Sequence, residues 1–417
     1  MNSILVQEQF GFWSHYSTEK GAFNLINSIL TAMNNNLLVG GIFCDLQKAF
    51  NCVNHKILLE KLEFYGVEGK FKALIESYLT GRYERMALDN ITDNSNSSKW
   101  EMIKCGVPQG SILGTLFFLI YINDLPTLIN KDNNTVLFAD DTSVIITDSN
   151  RRDFNINANQ IFHDINTWFN INLLTLNPNK TQYTEFRTKN YYNVNIQIKY
   201  YQKGITNATE IKFFGLIIDD TLSWKQHTEH LVNKMCTACY ALRNIKHVVP
   251  IDTLRVIYFA HIHSITSYGI IFWGSSSYAN KVFILQNKII RIITNTKPQD
   301  SCREVFKNME IMMLYSQHKY SSILHTLNNK HLFTTNKEIH KYKTRNNNNI
   351  HLSTANLSKF NKGAYISGIK VFNHLPHHIK ALTNDLKCFK FTLNRFLCHN
   401  SFYSLNEYYT YEEDRRV

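Results

Sequence analysis

Val136-Leu-Phe-Ala-Asp-Asp-Thr-Ser-Val-Ile-Ile-Thr147 is an apolar run, two adjacent acids, and a second apolar run rich in β-branched residues. Runs of that length and composition favour strands. A break at Asp140-Asp141 joins two of them into a hairpin with both carboxylates at its tip. Adjacent carboxylates repel, and burying either one unpaired is costly. Two readings of the pair stand side by side. Asp is a common turn residue, so the tip reads as a solvated turn. Alternatively the two acids bind a divalent cation, for Mg²⁺ takes oxygen ligands, usually one or two carboxylates plus substrate phosphates.

A stretch upstream favours the cation. Leu38-Val-Gly-Gly-Ile-Phe-Cys-Asp45 is another apolar strand ending in an aspartate. A third carboxylate at a strand end completes a set able to hold two ions, the arrangement that clamps the attacking and leaving oxygens of phosphoryl transfer. Between the two lies Gly106-Val-Pro-Gln-Gly-Ser-Ile-Leu-Gly114, a glycine-rich turn opening a helix. Glycines there let a substrate approach the backbone, and the helix start presents N–H groups.

Three segments carry a resemblance: Gly41-Ile-Phe-Cys-Asp-Leu-Gln-Lys-Ala-Phe50, residues 106–125, and Leu137-Phe-Ala-Asp-Asp-Thr142. In this order they make the chain similar to the reverse transcriptases of non-LTR retrotransposons, most of all the jockey-type elements of insects. The resemblance implies an α+β fold: a right-hand polymerase palm with an antiparallel sheet and partial fingers, followed by an α-helical thumb and C-terminal region. The implied activity is RNA-directed DNA synthesis, adding dNTPs to a DNA primer 3′-hydroxyl on an RNA template.

The implied site is equally specific. Asp45, Asp140 and Asp141 would hold two Mg²⁺ ions, with Mn²⁺ as a substitute. Phe50 matches an aromatic under the incoming sugar, where a ring collides with a ribose 2′-hydroxyl; the other reading is a core aromatic. Gln109 and Gly110 fall on the dNTP and template side of the pocket, and Phe138 and Ala139 beside the substrate. Lys180, in Leu174-Thr-Leu-Asn-Pro-Asn-Lys-Thr181, matches a lysine near the leaving pyrophosphate, as charge stabiliser or proton donor. A surface lysine is its alternative. Arg82 and Arg85 contact template phosphates or form a solvated face. In the thumb, Lys288 and Arg291 meet backbone phosphates.

Some positions depart from the family pattern. Trp13 stands where Arg is usual, Asn51 where Asp is, and Thr115 where Pro is. The family's earlier fingers stretch and its endonuclease are expected upstream, so the chain reads as N-terminally truncated. A rival reading is a decayed copy that folds and binds nucleic acid without polymerising.

In chain order, residues 1–227 read as partial fingers and palm, and 228–327 as a helical thumb. Residues 328–350 read as an Asn-rich linker, and 351–417 as a helical tail. Ser17 or Thr18 caps a helix carrying Phe23, Ile26, Ile29, Leu30 and Met33. Phe154 to Phe169 is helical, with Ile156, Ile161, Ile165, Trp168 and Phe169 at helical spacing, and Asp89 to Ser98 is a polar loop. Two helices are expected over 254–296.

The chain has 417 residues, 45 basic against 33 acidic, for a net charge of +12. That excess suits a polyanionic partner such as nucleic acid. Its 44% hydrophobic residues can fill a core, so disorder is not expected. Eight scattered cysteines form no dense framework, which favours an intracellular, reduced protein, a nuclear or cytoplasmic ribonucleoprotein. Cys236 and Cys239 read as core packing rather than zinc ligands. No secretory leader is evident. The apolar run Ile112 to Ile122 is too short to span a bilayer and reads as a buried helix.

Overall fold

The computed structural model describes residues 4–88, 96–129, 133–188, 198–200, 203–339 and 347–411. The chain divides into two compact units, Met1–Ala32 with Asn36–Thr209, and Met33–Asn35 with Glu210–Val417.

The first unit opens with α1 (Thr18–Asn34). The Ser17 hydroxyl accepts from Lys20 N at 3.2 Å, and Phe23, Ile26, Ile29, Leu30 and Met33 are all buried, as their spacing predicts. β1 (Leu38–Cys44) follows, then α2 (His55–Phe64), which Asn54 caps, and α3 (Gly69–Leu79). β2 (Tyr83–Glu84), β3 (Ala87–Leu88), β4 (Asn96–Ser97) and β5 (Glu101–Met102) make two short pairs, β2 with β5 and β3 with β4. Most of the polar loop expected from Asp89 lies outside the described residues. α4 (Ile112–Ile122), α5 (Leu125–Leu128), β6 (Asn134–Phe138), β7 (Asp141–Asp148), α6 (Arg151–Ile171) and β8 (Gln182–Phe186) come next. β9 (Lys199–Tyr200), β10 (Lys203–Gly204) and β11 (Thr206–Asn207) complete the unit.

Its sheet has the order β11-β8-β1-β7-β6. Every pairing is antiparallel except β11 with β8. β1 lies at the centre, which is why its sequence is almost wholly apolar. Its Gly40 is there for space: a Cβ would stand 2.8 Å from the Tyr183 hydroxyl and 2.9 Å from the Phe154 ring. α6 buries Phe154, Ala158, Ile161, Ile165 and Phe169. Ile156 departs from the expected stripe and is 60% exposed, because Phe154 and Ala158 take the inward positions on that turn. α4 is buried from Phe117 to Ile122, but Ile112, Leu113 and Leu116 in its first turns are exposed. The helix is buried as expected over most of its length, and exposed at the end that adjoins the Gly106–Gly110 turn.

The second unit begins with the hairpin β12 (Glu210–Phe213) and β13 (Leu216–Asp219). α7 (Lys225–Ile245) buries Leu231, Met235, Cys239 and Leu242 and leaves Cys236 exposed. The two helices expected over 254–296 are instead α8 (Ile251–Tyr258), a π turn (Phe259–His263), α9 (Ser264–Ser267), α10 (Ile270–Trp273) and α11 (Ala279–Thr294). Extended Tyr268 and left-handed Gly269, at φ 58°, interrupt the run. Then come α12 (Arg303–Asn308), α13 (Leu314–Asn328), α14 (Asn336–Ile339), α15 (Ser358–Lys362) and α16 (Ala364–Asn373). α17 (His377–Lys380), α18 (Leu386–Asn400) and α19 (Leu405–Thr410) are the last elements of the described residues. Ile323, Leu327, Val371, Phe389 and Leu393 share one core across α13, α16 and α18.

The segment read as a linker is tied down in its described part. Thr335 bridges to Ile350, Asn336 N donates to Asn349 O at 3.0 Å, and Phe333 and Ile350 are buried with Ile369. Residues 340–346 lie outside the described set. Among the described residues no helix is long and apolar enough to cross a membrane.

Candidate active site

Pairing register brings the acids together. β6 and β7 close through the two-residue connection Ala139-Asp140, with Phe138 opposite Asp141 and Leu137 opposite Thr142. β1 runs antiparallel to β7 with Cys44 opposite Thr142. The next residue on β1 is Asp45, and the preceding one on β7 is Asp141, so the three acids share one end of the sheet.

The Asp45 backbone is held from the other side by the 174–181 segment. Asn177 N donates to Asp45 O at 2.8 Å, Asp45 N donates to Thr181 Oγ1 at 3.3 Å, and Gln47 N donates to Thr175 O at 2.8 Å. That lacing places Lys180 Nζ 3.6 Å from Asp45 Oδ2. Asp45 Oδ2 is buried and has no hydrogen-bond partner.

The electrostatics follow from this crowding. Burial, then repulsion from Asp140 and Asp45, pushes the Asp141 carboxyl up to about 6, although part of its surface stays exposed; Lys180 pulls the other way. The Asp140 carboxyl is raised too, mainly by burial and further by Asp45, against its own backbone N–H and Lys180. Three oxygen-donor side chains that repel one another, one with an orphaned buried oxygen, fit a hard divalent cation by their chemistry. As they stand, no three His, Cys, Asp or Glu side chains among the described residues gather closely enough to hold an ion.

The turn itself carries strain. Ala139 sits at φ 55° and is 3% exposed. A residue that sequence reasoning missed supports it. Gln9, 1% exposed, forms a parallel bridge to Leu137, while Phe10 N donates to Leu137 O at 2.8 Å. The Gln9 Oε1 accepts from Gly11 N at 2.8 Å and from Ala139 N at 3.3 Å. Its sequence signal is its place in the Gln9–Trp13 stretch, which resembles the family's fingers segment before the palm, since Gln itself usually marks surface.

Around this end lie further residues expected from the sequence. Phe50 is half-buried and stacks on Phe118, centroids 4.7 Å apart. Its carbonyl accepts from Val107 N at 2.9 Å, and Val53 O accepts from Gly106 N at 2.7 Å. These bonds dock the glycine-rich turn onto the segment after β1. Gly106 has φ 93°, and a Cβ there would lie 2.9 Å from Asn51 backbone, so the position admits no side chain. Gln109 and Gly110 are exposed beyond this docking point, and Ser111 caps α4 by accepting from Gly114 N at 2.9 Å. Phe138 is half-buried at the hairpin.

The basic candidates are elsewhere. Arg82 pairs with Glu84 at 3.0 Å, and the Arg85 guanidinium lies 4.9 Å from the Trp100 ring centroid, both at the β2–β5 pair. Lys288 and Arg291 are on α11 in the second unit. Lys288 is exposed, whereas Arg291 donates to Asp300 O at 3.1 Å.

The family profile described as Reverse transcriptase (RNA-dependent DNA polymerase) matches residues 1–218. The chain is similar to the probable RNA-directed DNA polymerase from transposon BS of Drosophila melanogaster, 26% identical over 309 residues, covering 70% of this chain and 33% of that protein. It is also similar to the RNA-directed DNA polymerase from mobile element jockey of Drosophila melanogaster, 24% identical over 319 residues, covering 73% and 34%. The chain thus spans about a third of the length of these relatives. Among solved structures, apo telomerase from Candida tropicalis is 13% identical with a TM-score of 0.37, covering 73% of this chain and 50% of that one.

Proposed function

The chain belongs to the reverse transcriptase family, and from that premise we propose that it is the polymerase part of a non-LTR retrotransposon protein. Its reaction is RNA-directed DNA synthesis. The 3′-hydroxyl of a DNA primer attacks the α-phosphorus of a dNTP on an RNA template, and pyrophosphate leaves. The observation that carries the proposal is the gathering of Asp45, Asp140, Asp141 and Lys180 at one sheet end, next to a docked glycine-rich turn.

Asp45, Asp140 and Asp141 are the residues that would hold Mg²⁺ or Mn²⁺. When bound, such ions lower the pKa of the attacking hydroxyl and offset the charge of the triphosphate. Lys180 supplies a positive charge, or a proton, to the departing pyrophosphate. Phe50, propped by Phe118, forms the floor under the incoming sugar, with Gln109, Gly110, Phe138 and Ala139 around the nucleotide. Arg82 and Arg85 meet template phosphates, and Lys288 and Arg291 meet phosphates of the product duplex.

The deciding experiment is primer extension on an RNA template with dNTPs or rNTPs, using the chain alone and the chain fused to a fingers segment from a jockey-type relative. Extension with dNTPs that Asp140→Asn abolishes is the expected result. A folded, nucleic-acid-binding but inert protein in both forms would identify a decayed copy instead.

A further inference from the structure

The second unit holds a cavity of about 970 Å³ that the polymerase reading leaves unused. α8 and the π turn form one wall, α13 another, and α18 lies across them. That size falls within the range of small-molecule sites. π turns inside helical runs are frequent at functional sites, and here the turn brings Phe259 and His263 to the cavity.

Three kinds of group line it. Phe259, Tyr320 and Phe391 present aromatic surface, and Phe391 is 69% exposed. Arg255, Lys307 and Arg395 bring positive charge, against Glu310 as the only acid of the lining. Arg255 is partly committed, donating to Met309 O at 2.7 Å and pairing with Glu310 at 3.1 Å. Lys307 pairs with Glu304 at 2.9 Å. Arg395 makes no ion pair or hydrogen bond among the described residues.

Two polar side chains of the lining each carry one buried atom without a hydrogen-bond partner. Gln317 is 2% exposed; its Oε1 accepts from Thr266 Oγ1 at 3.4 Å, and its Nε2 is buried without any acceptor. His263 Nδ1 is likewise buried and unpaired. Buried polar groups in proteins are almost always hydrogen-bonded, so a pair of orphans lining one cavity points to a ligand with polar edges.

We propose that this cavity binds an unstacked nucleotide of single-stranded RNA, outside the polymerase site. The base stacks on Phe391, its polar edge meets Gln317 and His263, and the adjoining phosphates lie against Arg395 and Lys307. Stacking platforms set among cations are how single strands are bound, and splayed-out bases are how RNA sequence is read. A cavity of that volume, open to solvent on the Phe391 side, admits a single nucleotide but not a duplex. An acidic peptide would use the cations but not the combination of aromatic faces and orphaned amide and imidazole groups. All the lining residues belong to the second unit, so the proposal does not depend on the palm carboxylates.

The test uses the full chain. An eight-nucleotide single-stranded RNA carrying 5-iodouridine is cross-linked to it, the attached peptides are mapped, and affinity is measured by fluorescence anisotropy. Attachment at Phe391 or Tyr320 is expected. Phe391→Ala and Arg395→Ala are surface changes, and circular dichroism checks that both variants fold. Each weakens the single strand by about tenfold and leaves a duplex RNA of the same length unaffected. Asp140→Asn keeps the cross-link. The proposal is overturned if cross-links fall only on the first unit, if both variants bind the single strand as the parent does, or if poly-glutamate displaces the RNA with the same sensitivity to both substitutions.

Discussion

The side-chain oxygen of Gln9 accepts a hydrogen bond from the backbone N–H of Ala139, 3.3 Å away. It thereby fixes, from a segment far off in sequence, the left-handed residue beside two mutually repelling acids. Gln9→Leu keeps the bulk and removes the acceptor. A loss of about 1–3 kcal/mol is expected in urea unfolding, since the Gly11 and Ala139 N–H groups are buried. Primer extension falls with it. Adding Ala139→Gly restores part of the stability, because glycine adopts φ 55° without the roughly 1–2 kcal/mol cost of a Cβ. No recovery in the double variant would show that backbone strain is not what Gln9 offsets.

Phe50 tests pocket shape apart from chemistry. Phe50→Ala opens space for a ribose 2′-hydroxyl, so use of rNTP rises relative to dNTP while synthesis continues. Because the ring stacks on Phe118, the variant also loses about 1–3 kcal/mol of stability. Asp140→Asn stops synthesis with either sugar. An unchanged dNTP to rNTP ratio for Phe50→Ala in an active chain would reduce Phe50 to a core aromatic.

Metal removal is the third test. Folded protein that binds Mg²⁺ at the three acids gains about 2.7 kcal/mol at a hundredfold excess over Kd, visible as a rise in Tm. Asp45→Asn removes most of that gain. In EDTA the same variant is as stable as the parent or more so, because Asp45 is one of the charges that raise the Asp140 and Asp141 carboxyls. An equal Mg²⁺-induced rise in parent and variant would place the ion elsewhere.

A buried lysine sets a pH dependence. Lys319 is 0% exposed, donates to Ser404 O at 3.2 Å, and lies 4.8 Å from the Phe402 ring centroid. Burial lowers its pKa from 10.5 to about 7, partly offset by Glu407. Between those values the unfolded chain holds a proton that the folded one has released. Stability from this group therefore climbs as pH rises from about 7 towards 10.5, and its full cost remains below 7. Lys319→Met is expected to stabilise by about 1–4 kcal/mol at pH 6, with the difference shrinking as pH rises. Parallel stability curves for the two chains would contradict the shift.

How much of this was legible depended on how local each determinant is. The strand–turn–strand around Asp140 and the strand before Asp45 were readable, because β-branched runs ending in acids declare themselves within ten residues. Lys180 could be aligned with Asp45 only through the motif it resembles, since the contact is set by Asn177 N donating to Asp45 O and the Thr181 hydroxyl accepting from Asp45 N. Gln9 and Lys319 were not legible. Both are residue types that usually face water, and only tertiary packing buries them. Helical spacing misplaced Ile156 and merged the run from 254 to 296, because periodicity counts apolar residues without seeing which compete for one face.

The central position of β1 also has a consequence for how the chain is made. Gly41 pairs with Ile145 on one side and Thr184 on the other. Neither partner exists when β1 leaves the ribosome. At roughly 5–20 residues per second, an almost wholly apolar strand waits about 5–20 s with both backbone edges bare, until Ile145 is made. Closing the loops adds little penalty for their length, since the entropy grows only with the logarithm of residue number. The hazard is therefore kinetic rather than thermodynamic. During translation, Leu38–Cys44 is the segment most exposed to mispairing with a neighbouring nascent chain, and the one for which a chaperone holding newly made polypeptide would matter most.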